Sequence, residues 1–159
     1  MKIIECVPNF SEGRDLSLIK QITDSMESVG GITLLDVDPG ADTNRTVVTI
    51  VGDPESVIQS AFLGIKKASK LIDMQKHRGA HARMGATDVC PFVPISEASM
   101  DDCVVYSKQL AQQVGDELNV PVYLYEFSAT SADRQNLAKV RSGEFEGMAE
   151  KMKSAKWKP

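Results

Sequence analysis

Apolar residues recur along the chain with two different periods, and the changes between them mark the elements. Residues 2–8 (KIIECVP) are short and β-branched and read as a first strand, which runs into the turn-forming cluster Pro8-Asn9-Phe10-Ser11-Glu12-Gly13. From Arg14 onward Leu18, Ile19, Ile22, Met26 and Val29 keep a helical spacing, and Gly30-Gly31 stops the helix. Residues 32–38 (ITLLDVD) predict a second strand and residues 45–52 (RTVVTIVG) a third. The short turn between them, PGADTN, favours antiparallel pairing. Asp53-Pro54 has the chemistry of an N-cap followed by a first helical residue. The helix it opens carries an apolar stripe of Val57, Ile58, Ala61, Phe62, Ile65, Ala68, Leu71 and Ile72.

A basic loop follows, and then residues 89–95 (VCPFVPI), a strand that Pro91 and Pro94 make irregular or confine to an edge. Ser99 is placed to cap a third helix, with Asp101 and Asp102 at its positive end. Residues 120–125 (VPVYLY) read as a last strand, and residues 133–155 as polar helices broken near Ser142-Gly143. The order is β-α-β-β-α-β-α-β. It predicts an α/β (α+β) domain, an open mixed β-sheet with packed helices related to the ferredoxin-like plan. Order alone leaves open whether helices cover one face of the sheet or both.

Composition narrows the function classes. A chain of 159 residues, 42% hydrophobic and 25% charged, fits one domain with a buried core. A net charge of −4 argues against a nucleic-acid partner. Cys6, Cys90 and Cys103 are widely spaced with no C-x-x-C pair, which fits a reducing compartment. With no leader-like start and no stretch of membrane-spanning length, the expectation is a cytoplasmic protein without a membrane partner.

Against that acidic background the loop at 73–88, DMQKHRGAHARMGATD, stands out. It holds both histidines, His77 and His81, among Lys76, Arg78 and Arg83. Histidine titrates nearest neutrality, so this mixture suits proton transfer beside a small anion, whereas a solvated basic loop is the bland alternative. The four-residue spacing of the histidines suits two metal ligands on a helix. Gly79 lies between them, however, and no H-E-x-x-H pattern follows, so no metal site is expected. A carboxylate to orient the imidazole is sought at the carboxyl end of the second strand, where Asp38 is preferred to Asp36. Asp38 could equally be an Asx-turn residue before Pro-Gly, and Arg45 either a carboxylate clamp or part of the turn. Cys90, in an apolar run, reads as core.

Four segments resemble the amino-terminal half of the formiminotransferase family: ECVPNFSEG (5–13), LLDVDPGADTNRT (34–46), LIDMQKHRGAHARMGATDVCPF (71–92) and ELNVPVYLYE (117–126). The likeness runs from about Ile4 to Pro159. It implies transfer of a formimino group from N-formiminoglutamate to tetrahydrofolate, the co-substrate, in histidine degradation. It further implies His81 as the acid/base and Asp38 as its assistant, with Arg45, Lys76, His77, Arg78 and Arg83 as candidates to hold substrate. Family transferases are about twice this length, and the expected partner is their second, folate-contacting subdomain or another copy of this chain. The alternative is a non-catalytic relative that serves as a small folate- or anion-binding or oligomerising module.

Overall fold

The computed structural model describes all residues, Met1–Pro159. Its strands are β1 (Ile3–Cys6), β2 (Asn9–Phe10), β3 (Ile32–Gly40), β4 (Arg45–Gly52), β5 (Thr87–Val89) and β6 (Phe92–Ser96). The long helices are α1 (Leu16–Glu27), α2 (Pro54–Leu71) and α3 (Met100–Leu118), and the shorter α4 (Leu137–Arg141) and α5 (Glu144–Lys151) follow. β1 and β2 are two pieces of one run, and so are β5 and β6, each interrupted next to a proline, Pro8 and Pro91. β4 lies centrally, with β3 along one edge and β1 and β2 sharing the other; β6 then pairs with β1 and β5 with β2. This is the βαββαβ arrangement that the sequence predicts.

Two expectations are corrected. The sheet is not mixed, because every strand pair is antiparallel. The α1 crossover takes the chain from β1 to β3 while β4 fills the place between them, so the two parallel strands never touch. The strand expected at 120–125 also does not form. Asn119 closes α3 in the left-handed conformation, and Pro121 deprives the segment of a ladder donor. The segment is nonetheless apolar for a reason, since Val120 and Val122 pack against the core.

Helix boundaries follow local chemistry. Asp53 caps α2 through Ser56 N–H with Pro54 at the first position, and Ser99 and Asp102 form a reciprocal capping box on α3. Along β4 the even residues Thr46, Val48 and Ile50 are fully buried beneath Ile22 and Met26 of α1 and Val57, Ala61 and Ile65 of α2. The odd residues Arg45, Val47, Thr49 and Val51 face the other way and are only partly covered. Helices therefore cover one face. A bulge at Leu35 resets the phase of β3, so that Val37 pairs with core-facing Val48 while Asp36 and Asp38 pair with Thr49 and Val47 on the open face. Cys90 packs against the core, its sulfur 3.5 Å from that of Cys6, whose thiol burial pushes well above the ordinary value. No helix is long and apolar enough to cross a membrane.

Candidate active site

The site is assembled where three loops meet at the amino-terminal end of β4. Asn44, buried and left-handed at φ 49°, joins them. Its side-chain oxygen accepts from Gly13 N–H at 2.9 Å, its amide donates to Arg78 O at 3.0 Å, and its own carbonyl accepts from the His77 ring at 2.8 Å. An asparagine suits the place, because it tolerates the left-handed region and offers both donor and acceptor. Contact between the loops is close enough to exclude a methyl group. A Cβ on Gly13 would stand 2.2 Å from Gly40 O, and one on Gly79 would stand 2.2 Å from Thr43 O. Ala80 N–H donates to Asp42 O at 3.1 Å, which seats the tip of the basic loop on the β3–β4 turn.

On this seat His81 meets Arg45. The His81 Nδ1–H donates to Ala82 O at 2.6 Å, and Arg45 Nη1 lies 2.8 Å from Nε2 and 3.3 Å from Nδ1, so the guanidinium sits against the ring across both nitrogens rather than in line with the Nε2 lone pair. His81 is half-buried, with its ring against a cation on the open face of the sheet. Asp38 is on that same face, exposed and two residues before Gly40, the cross-strand partner of Arg45. It is thus a diagonal neighbour of Arg45. The hydrogen-bond partners of His81 are Arg45 and Ala82, not Asp38.

The other histidine is built in differently. His77 is 6% exposed, and both ring nitrogens are used: Nε2–H donates to Asn44 O and Nδ1 accepts from Arg83 Nε–H at 2.9 Å. Arg83 is buried as well. Its Nη1 and Nη2 reach the two oxygens of Glu146 at 2.9 and 2.7 Å, and Nη1 lies 3.4 Å from Glu144. The Arg83 guanidinium, chiefly by hydrogen bonding, holds the Glu146 carboxyl down at about 2. Every donor group of the guanidinium is therefore occupied within the protein. Lys76 and Arg78 are exposed; Lys76 lies 3.6 Å from Asp73, and Arg78 Nη1 donates to His77 O at 2.6 Å. Of the five residues expected to hold substrate, Arg45, Lys76 and Arg78 remain open to solvent or half-open, whereas His77 and Arg83 are enclosed.

The sequence profile of the formiminotransferase domain, N-terminal subdomain, matches residues 3–159. The chain belongs to the formiminotransferase family. It is 52% identical to the glutamate formimidoyltransferase of Streptococcus pyogenes over 99% of this chain and 53% of the relative. It is also 52% identical to the formimidoyltransferase-cyclodeaminase of Dictyostelium discoideum, over 99% of this chain and 29% of the relative. The corresponding protein of Rattus norvegicus is 51% identical over the same shares. The chain thus spans about half the length of the formimidoyltransferase and under a third of the cyclodeaminase proteins.

Three polar groups of this formiminotransferase subdomain were not expected from the sequence as parts of the site: Asn44 as the junction of the loops, Glu146 as the partner of Arg83, and Arg141. Arg141 pairs with the fully buried carboxylate of Asp88, which also accepts from Met84 N–H at 2.8 Å and so fixes the end of the basic loop. Glu146 is 63 residues from Arg83 and Arg141 is 53 from Asp88, separations at which no periodicity or spacing rule operates. Asn44 was visible as a turn former only.

Proposed function

We propose that this chain is the catalytic amino-terminal subdomain of a glutamate formimidoyltransferase, which moves a formimino group from N-formiminoglutamate to tetrahydrofolate. The observation that carries the reading is the Arg45–His81 contact: a guanidinium held against the imidazole, 2.8 Å from Nε2 and 3.3 Å from Nδ1. Arg45 is the right group to bind a glutamyl carboxylate. A carboxylate that takes the Arg45 N–H groups removes them from His81 Nε2, which leaves that nitrogen free as a base. Substrate binding and base activation are then one event.

The attacking pterin nitrogen loses its proton to His81 Nε2 as it adds to the formimino carbon. The same proton passes to the departing glutamate nitrogen as the old C–N bond breaks, so His81 is neutral at the beginning and the end. Asp38, on the same face, balances the imidazolium in between. Arg78 and Lys76 supply positive charge at the rim for the remaining carboxylates. General acid–base transfer of this kind contributes about 100- to 10,000-fold. Alignment of the two substrates must supply much of the rest. The second subdomain of the family's transferases, or another copy of this chain, would complete the folate site.

Calorimetric titration of the chain with tetrahydrofolate or a stable folate analogue, and separately with N-formiminoglutamate, tests the reading. Micromolar binding of formiminoglutamate that is lost in Arg45→Ala supports it, with turnover in the complete transferase lowered about 100-fold or more by His81→Ala. No binding of either ligand, together with full turnover in His81→Ala, overturns it.

A further inference from the structure

The segment between His77 and Arg83 carries His81 near its middle, and its two ends are tied to each other. Arg83 Nε–H donates to His77 Nδ1 at 2.9 Å, and Arg83 Nη2 lies 3.4 Å from His77 O. The tie works only with His77 in one form: neutral, with its proton on Nε2 and donated to Asn44 O. Arg83 selects that form by presenting a donor to Nδ1. What holds Arg83 in place to do so comes from a distant part of the chain. The two oxygens of Glu146 take Nη1 and Nη2 in a fork, and Glu144 Oε1 accepts from the Arg83 backbone N–H at 3.3 Å. Phe145 N–H returns a hydrogen bond to Arg83 O at 3.0 Å.

The backbone that presents these carboxylates is unusual. Gly143 and Glu144 are both left-handed, at φ 90° and 52°. For a glutamate that conformation costs on the order of 1 kcal/mol or more. α5 has no side-chain cap that would require the turn. The two consecutive left-handed residues instead wrap the start of α5 around the Arg83 peptide, so that the helix begins with its acids against the guanidinium.

We infer that Glu146 is a positioning residue for the transfer reaction: through Arg83 and then His77 it fixes the loop that presents His81 to Arg45. The inference rests on the proposed role of His81 as the proton carrier. Glu146 itself touches neither His81 nor Arg45. Its influence runs along three hydrogen-bonded side chains whose geometry leaves one arrangement of the loop. Without the fork, Arg83 is free to turn from His77, the His77 ring is free to change tautomer, and the loop tip loses its register on the β3–β4 turn.

The test uses the chain labelled with ¹⁵N at histidine, and long-range ¹H–¹⁵N spectra that report which ring nitrogen bears the proton. In the unaltered chain His77 is expected as the Nε2–H form and His81 as the Nδ1–H form. In Glu146→Ala both assignments are expected to become mixtures, while amide signals of β1, β4 and α2 stay in place. Glu146→Gln, which keeps an acceptor oxygen, is expected to recover part of the effect. Lys153→Ala, which lies just beyond α5 and breaks the pair with Glu150, is expected to leave both rings unmoved. In the complete transferase Glu146→Ala should lower kcat by up to about 100-fold with KM little changed, the signature of misplacement. Unaltered His81 signals or an unaltered kcat in Glu146→Ala overturns the inference. Full activity in His81→Ala, run alongside, would overturn the role of His81 instead, so the two failures are separable.

Discussion

His77 and His81 share one loop, one residue type and a basic neighbourhood, yet the fold uses them in opposite ways. His77 is enclosed, and each ring nitrogen has a partner fixed by buried backbone or side chain. His81 is half-exposed; its Nδ1–H is tied to the adjacent carbonyl, and Nε2 is met only by the long, half-open side chain of Arg45. A histidine with both nitrogens committed to the interior stabilises one arrangement. One whose basic nitrogen faces a displaceable cation can carry a proton. Burial alone separates them less sharply than the question of which partners can leave.

The largest effect is expected at the open end of the loop. His81→Ala should lower kcat of the transferase by about 100- to 10,000-fold while the thermal midpoint stays near that of the parent. A large loss of stability in this variant would erase the distinction between the two histidines. His77→Ala should do the reverse in kind, costing about 2–4 kcal/mol in urea unfolding, because Asn44 O and Arg83 Nε–H both lose a buried partner. Gly79→Ala tests the seat beneath both: with its Cβ 2.2 Å from Thr43 O, it should cost about 1–3 kcal/mol. An unchanged unfolding midpoint would mean that the loop does not press on the β3–β4 turn.

Acid should release the enclosed end selectively. The Glu146 carboxyl is lowered from 4.5 to about 2 by Arg83, so its stabilising contact is complete above about 4.5 and is lost as pH falls towards 2. Stability of the parent and of Glu146→Ala, followed against pH, should therefore converge across that interval. Divergence on acidification would reverse the sign of the contact. The smallest effect belongs to Lys76, whose side chain is 86% exposed and 3.6 Å from Asp73. Lys76→Ala should alter stability by no more than about 0.5 kcal/mol.

Much of the fold was readable because its signals are local. The Asp53-Pro54 start of α2, the Ser99 cap of α3 and the break at Ser142-Gly143 each follow from a few adjacent residues. Residues 120–125 misled because alternating apolar residues with high strand propensity do not reveal whether a sheet edge receives them. At the candidate site, the composition of residues 73–88 singled out the loop that seats on the β3–β4 turn, and that turn supplied the arginine His81 meets. That His77 is enclosed and His81 half-open was not readable, since their surroundings are made by Asn44 and Arg83 on folding rather than by spacing. Asp38 was singled out by its place at the end of the second strand, and the bulge at Leu35 that puts it on the face of Arg45 has no sequence signature.

The junction at Asn44 also bears on how the chain acquires its fold. It binds Gly13 across 31 residues and Arg78 across 34, and the Arg83–Glu146 fork closes a further 63. Each closure is an entropic cost that must be met before its contact stabilises anything, and the cost grows with the length enclosed. Helices and the β3–β4 hairpin can form while those ends are still apart. On the inferred role of Glu146, His81 reaches its final place against Arg45 only after the longest of these closures. A chain still emerging from the ribosome would lack the Arg83–Glu146 fork until α5 has been made.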